Sequence, residues 1–270
     1  MTGPWTHEIA DILAARVVDG LTLNYARGFV EPDLDFLQAW PVRRLDVLDR
    51  ALEDLAPIGR LGPSLESLSI EAAPRAALDL AVVPHLRELA AWWSAIEETL
   101  DRLDDLEELT VMDYDEPNLK PLAAHSSLRK LVLKFAPLLE SLDGAEDLPT
   151  LAVLRIAAAR ELRDITALAS IPESLVELVF ESCLGIEALD DLSSLRNVRF
   201  LGVSDCGRIE SLRPIATMTS VETLYAWGST RIMDNDLTPL QRLPRLSEVR
   251  MRNRREYRPS LSAIEEQLAT

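Results

Sequence analysis

Apolar residues return along this chain in one fixed phrase, Leu-x-x-Leu-x-Leu, in which Val, Ile, Ala, Met or Phe can stand in for leucine. The phrase opens at Val18, Val42, Leu65, Leu86, Leu106, Leu128, Leu151, Leu175, Val198, Val221 and Leu246, a new copy about every 23 residues. In Leu175-Val-Glu-Leu178-Val-Phe180 the last apolar pair is spaced by two, the period of a strand with one buried face. The leading leucine enters the same core from the turn before the strand. After each strand the spacing becomes three, as in Leu162, Ile165, Leu168 and Ile171, then Ile186, Leu189 and Leu192, then Ile209, Leu212, Ile215 and Met218. A period of three over so short a span suits 3₁₀ turns or a brief helix. One unit therefore reads as strand, turn, short helical turn and return. No unit can bury its apolar side alone, so neighbours must stack into a solenoid.

Proline tests this assignment independently, because it lacks the N–H that a sheet ladder needs. None of the 16 prolines falls within the eleven phrases, and Pro41, Pro84, Pro149 and Pro244 stand one or two residues before one. The ends of a solenoid need caps. Trp5, Ile9, Ile12, Leu13 and Val17 fall at helical spacing, and Ser262-Ala-Ile-Glu265 reads as a capping box opening a short helix with Ile264 and Leu268 inward. The expected organisation is an N-terminal helical cap over 1–17, a solenoid of about 11 strands over 18–255, and a C-terminal helical cap over 256–270.

Recurring over residues 18–255, the phrase resembles the leucine-rich-repeat family. Its short period is most similar to the bacterial internalin-like class, with repeats of about 22 residues. The resemblance implies an α/β solenoid whose concave side is a curved parallel sheet and whose convex side carries short 3₁₀ or α segments. It also implies protein binding. The family's usual Asn or Cys at the ninth position of the repeat survives here only as Cys183 and Cys206, with Ser229 a third candidate.

Composition narrows the setting. The N-terminal Met-Thr-Gly-Pro-Trp-Thr-His-Glu lacks the positive start and apolar run of a secretory signal, unlike the internalins. No stretch is long and apolar enough to span a membrane. Two cysteines do not make a disulfide scaffold, and the expectation is a cytoplasmic protein with both thiols free and buried. Arginines outnumber lysines 25 to 3, which reads as the coding bias of a GC-rich bacterial genome. The net charge of −17 disfavours nucleic acid and anionic membranes.

Catalytic chemistry finds little footing. His7, His85 and His125 have no carboxylate or serine at a recognisable spacing and read as surface or capping residues. Gly202-Val-Ser204-Asp-Cys206 lacks the second glycine and the following helix of a nucleophile elbow. Asp113-Tyr-Asp115-Glu116 and Asp234-Asn-Asp236 lack the glycine and terminal glutamate of a calcium loop. No phosphate loop or dinucleotide fingerprint is present. The expectation is a non-enzymatic chain with no cofactor, no metal and no small-molecule substrate.

The third, fifth and seventh positions of each phrase should point out of the concave sheet. They place acids at Asp46, Glu71, Glu88, Glu108, Glu177, Glu181 and Glu248, and bases at Arg44, Lys130, Lys134, Arg155, Arg250 and Arg252. Seven against six leaves this face near neutrality, so the overall acidity says little about the partner. Phe200, Tyr225 and Trp227 gather beside Arg250 and Arg252, and Trp92 stands alone nearer the N-terminus. Aromatics with arginine neighbours are the composition of binding hot spots. The expected partner-binding residues are Trp92, Lys130, Lys134, Arg155, Glu177, Glu181, Phe200, Tyr225, Trp227, Arg250 and Arg252. The reading is a protein-interaction module, in its sharper form an inhibitor or immunity protein for a toxin or enzyme. The alternatives are a scaffold or regulatory subunit of a larger assembly, and nucleic-acid binding through the arginine-rich run Arg250–Arg258.

Overall fold

The computed structural model describes residues 5–73, 76–171 and 173–268. Residues 1–4 of the expected N-terminal cap and 269–270 of the C-terminal one lie outside the described residues. The chain forms two compact units that divide between Asp113 and Tyr114.

In the first unit, α1 (His7–Ala14) precedes five strands, β1 (Gly20–Asn24), β2 (Arg44–Leu48), β3 (Ser67–Glu71), β4 (Glu88–Trp92) and β5 (Glu108–Met112). They pair in parallel and in chain order. The short helix α2 (Trp93–Ile96) follows β4 directly. In the second unit the parallel strands are β6 (Lys130–Leu133), β7 (Val153–Ala157), β8 (Glu177–Glu181), β9 (Phe200–Ser204), β11 (Thr223–Ala226) and β13 (Glu248–Met251). Between them β10 (Arg208–Ile209) and β12 (Arg231–Ile232) form a separate two-stranded pair, and α3 (Leu261–Leu268) follows.

Each of these eleven long strands opens two residues after the first residue of its phrase, so the sequence period and the strand period coincide. The fourth and sixth positions point into the core, as Leu178 and Phe180 do at 0% exposure. Burying such a side chain is worth about 1.5–3 kcal/mol, and the repeat supplies several per turn of the chain. From Val42 to Leu246 every leading residue is also buried, at 7% exposure or less. Val18 is the exception at 44%, because no repeat precedes it. Here α1 contributes Leu13 to the core, while Ile12 and Val17 stay exposed. The helix stops at Ala14 and Arg16 turns to φ +57, which carries Val17 away from the helical stripe. Trp5 instead stacks on Phe36 and Trp40, with ring centroids 4.3 and 5.3 Å away.

The period-three segments form 3₁₀ turns at Thr166–Ser170, Asp190–Ser194 and Arg213–Thr217. Short polar side chains open several turns on this side. Asp164 Oδ1 accepts from the N–H and the hydroxyl of Thr166, at 2.9 and 2.6 Å. Asp236 repeats the arrangement with Thr238, at 2.9 and 2.7 Å, so that member of the Asp234–Asp236 run serves its own turn. These bonds hold both carboxyls below the usual carboxylate range. At the C-terminus the helix opens two residues earlier than the spacing suggested. Ser260 Oγ, not Ser262, accepts the N–H of Ala263, and Leu261 joins Ile264 in the core.

Two sequence readings need correction. His7 and His85 are exposed, but His125 is buried at 3%. It occupies the position three residues before its phrase, where other repeats of this unit place Leu148, Leu195, Met218 and Leu243. The ninth-position column continues from Cys183 and Cys206 to Thr230 rather than Ser229, although the two turns are equally long, Arg208 pairing with Arg231 as Gly202 pairs with Tyr225. The column has one purpose throughout. Cys183 donates to the carbonyl of Ile156, Cys206 to that of Phe180, and the Thr230 hydroxyl to that of Val203, each tying a turn to the preceding strand. Both cysteines are free, and burial pushes their thiols up, to about 11 for Cys183 and about 12 for Cys206.

Candidate functional site

The open face of the second unit's sheet, the one expected to be concave, carries its outward residues in registered rows. One row runs Arg155, Val179, Gly202, Tyr225 and Arg250 across β7, β8, β9, β11 and β13. A second runs Val153, Glu177, Phe200, Thr223 and Glu248. A third passes from Ala157 through Glu181 to Ser204, whose hydroxyl accepts the N–H of Trp227 at 3.3 Å. Parallel pairing stacks chemically equivalent positions about 4.8 Å apart, so the composition of each row is read directly from the repeat.

Where these rows cross β9 the face sinks into a hollow of about 500 Å³. Six of the residues expected from the sequence line it: Arg155, Glu181, Phe200, Tyr225, Trp227 and Arg250. Val179, Gly202, Ser204 and Asp205 complete the lining. The floor is a glycine for a steric reason. A Cβ on Gly202 would stand 3.1 Å from Cγ1 of Val179, so any side chain there would press on its neighbour and fill the hollow.

The aromatic wall is braced from within. The rings of Phe200 and Tyr225 meet edge to face, with centroids 4.9 Å apart. The Arg250 guanidinium lies 4.8 Å from the Tyr225 ring centroid, within cation–π range. Glu248 Oε1 accepts from both, from Arg250 Nε at 2.6 Å and from the Tyr225 hydroxyl at 3.1 Å. Partial burial and that hydrogen bond push the Tyr225 hydroxyl up. Arg155 pairs with Glu177, which brings a seventh expected residue to the edge of the hollow. Trp227 is 58% exposed on the rim.

The remaining four expected residues stand elsewhere. Lys130 and Lys134 belong to β6 and the residue just after it, two strands from β8, and Arg252 follows β13 as an exposed residue. Trp92 lies in the first unit at the end of β4, half-buried, with its Nε1 buried and unpartnered. Sequence reasoning missed Val179, Gly202, Ser204 and Asp205. Their only signal is a run of small or short side chains at outward positions beside large ones.

No family model matches the sequence, and no curated protein matches it. Solved structures do resemble it. An internalin, InlF, from Listeria monocytogenes aligns with a TM-score of 0.59 at 16% identity, over 80% of this chain and 64% of that one. The plant peptide hormone receptor RGFR1, in complex with RGF2, aligns at 0.52 with 18% identity, over 70% of this chain and 32% of the receptor. The functional domain of InlJ from Listeria monocytogenes, which includes a cysteine ladder, aligns at 0.51 with 15% identity, over 87% and 53%. The chain spans less than two thirds of the length of each. Parallel strands in phrase register, short helical turns behind them and these likenesses agree: the chain has the leucine-rich-repeat fold.

Proposed function

We propose that this chain is a non-enzymatic binding module that holds another protein on the open sheet face of its second unit. The observation that carries the reading is Trp227, a tryptophan 58% exposed at the rim of a hollow whose wall is Phe200 and Tyr225. Leaving large aromatic surface in water is costly, and clustering it beside arginines is the mark of an interface anchor. Phe200, Tyr225 and Trp227 are the anchors in this reading. Arg155, Glu177, Glu181 and Arg250 set orientation around them, and Lys130, Lys134 and Arg252 extend the surface along the same unit. Trp92 offers a further contact on the first unit. The helices α1 and α3 act as caps on the repeat. The likeness to a receptor solved with RGF2 supports a recognition role for the fold without naming a partner here.

The finer version is an intracellular inhibitor or immunity protein that covers a toxin or an enzyme. It expects the bound partner to lose its activity. Capture from native lysate tests the general reading, with the wild type beside a Tyr225→Ala/Trp227→Ala variant of equal melting temperature. A protein held by the first and lost by the second supports it. Equal retention by both contradicts it.

A further inference from the structure

The hollow is a slot with a direction. On the open face β9 presents Phe200, Gly202 and Ser204, and the last two are small. On one side stand Val179 and Glu181 of β8, on the other Tyr225 of β11 and, just after it, Trp227. Two strand spacings separate these walls, about 9.6 Å between backbones. Once the flanking side chains take their share, the gap has the width of one inserted side chain. The Phe200 ring blocks one end, and Asp205, beyond Ser204, stands at the other.

Charge divides along the same direction. Both arginines of the lining are engaged at the Phe200 end, Arg155 with Glu177 and Arg250 with Glu248. At the opposite end, roughly 13 Å along the strands, stand Glu181 and Asp205. Among the described residues neither has a cationic partner, and Asp205 accepts only the backbone N–H of Ser229. The lining holds two bases and two carboxylates, but both bases are neutralised by glutamates just outside it, Glu177 and Glu248, so the two carboxylates of the lining are left unpaired at one end.

We infer that the slot receives one arginine or lysine side chain of the bound protein, an inference that rests on the binding reading above. The aliphatic stem of that side chain lies over Gly202 and against Val179, and its cationic head reaches Glu181 and Asp205 beside the Trp227 indole. An apolar occupant would strip water from two carboxylates and give them nothing in return. An acidic one would be repelled by them.

The test uses the full chain and a phage-displayed library of random dodecapeptides, selected on the wild type and counter-selected on Trp227→Ala. The expected peptides share a fixed arginine or lysine. Replacing that residue with citrulline or norleucine weakens binding by about tenfold or more, and so does Glu181→Gln/Asp205→Asn in the protein. The two losses are not additive, and the double variant weakens the citrulline peptide far less than the arginine peptide. The asparagine keeps the oxygen that accepts from Ser229 and tolerates the φ of +54 at that position. Peptides that depend on Trp227 but lack a common basic residue overturn this inference and leave the binding reading standing. Selection of no peptide that depends on Trp227 overturns both.

Discussion

Asp205 holds the loop that carries Trp227 by accepting the backbone N–H of Ser229 at 2.8 Å. Its own N–H donates to the Trp227 carbonyl at 3.0 Å, so one residue grips the loop on both sides of its turn. Gly228 lies between, at φ +69, and a Cβ there would stand 2.1 Å from Asp205 Oδ1. The loop therefore requires glycine chiefly for the approach of the carboxylate, since Ser182 and Asp205 hold a similar left-handed backbone at the same position of their repeats. Gly228→Ala should cost about 1–3 kcal/mol and displace Trp227. Thermal melting measures the first effect, and the shift of the Trp227 indole signal in a nitrogen-15 NMR spectrum measures the second. An unchanged melting temperature and indole signal would show that the loop does not depend on this contact.

Gly202 tests the slot without touching an aromatic ring. Gly202→Leu points a side chain out of the sheet into the hollow, so the fold should persist while the slot closes. Its outward direction follows from its register with Val179 and Tyr225. Partner affinity should fall by about tenfold or more, with a modest drop in melting temperature from the pressure of the new Cβ on Val179. Affinity equal to the wild type would place binding outside the slot.

The two cysteines should be chemically silent. Cys183 and Cys206 are both 0% exposed, and burial raises their thiols to about 11 and about 12. The thiolate is the reactive form, so at pH 8 a disulfide reagent should titrate neither thiol in the native protein and both in guanidinium. Rapid native labelling of either would mean that the turns of these repeats open readily.

Asp164 and Asp236 should make stability depend on acid. Their folded carboxyls titrate below the unfolded value of about 3.9. The stabilisation is therefore fully present above that value and is lost as pH falls through the lower, folded one. Glu222, held low by its ion pair with Arg199, adds to the same slope. Melting temperature should drop as pH falls below about 4, and less steeply in Asp164→Asn/Asp236→Asn, whose amide oxygens still accept from the threonine N–H groups. An identical slope in the variant would contradict this assignment.

The strands were legible because a one-faced strand has a period of two and the repeat restates it eleven times; Leu178, Phe180, Leu201 and Val203 follow it without exception. Turns were harder to read. His125 passes for a surface residue until the column that holds Leu148 and Met218 in other repeats is seen in space. Thr230 replaces Ser229 within a turn of unchanged length, a local shift that no average period can reveal. The rings of the binding surface were visible as large residues at outward positions, and Phe200 and Tyr225 do meet. The slot between them was not, since an absence of side chain at Gly202 and Ser204 acquires meaning only beside Val179, Glu181, Tyr225 and Trp227. Trp92 shows the opposite limit, an outward aromatic at the same phrase position that the first unit leaves with an unpartnered Nε1.

In the proposed function a partner protein sits on the open sheet face of the second unit. Site-specific photo-crosslinking addresses it most directly, with benzoylphenylalanine placed at Thr223, beside Phe200 and Glu248 on that face, or at Arg242 on the helical side. Crosslinking in native lysate from Thr223 and not from Arg242, abolished by Trp227→Ala, is expected. A crosslinked partner from Arg242 alone would contradict it.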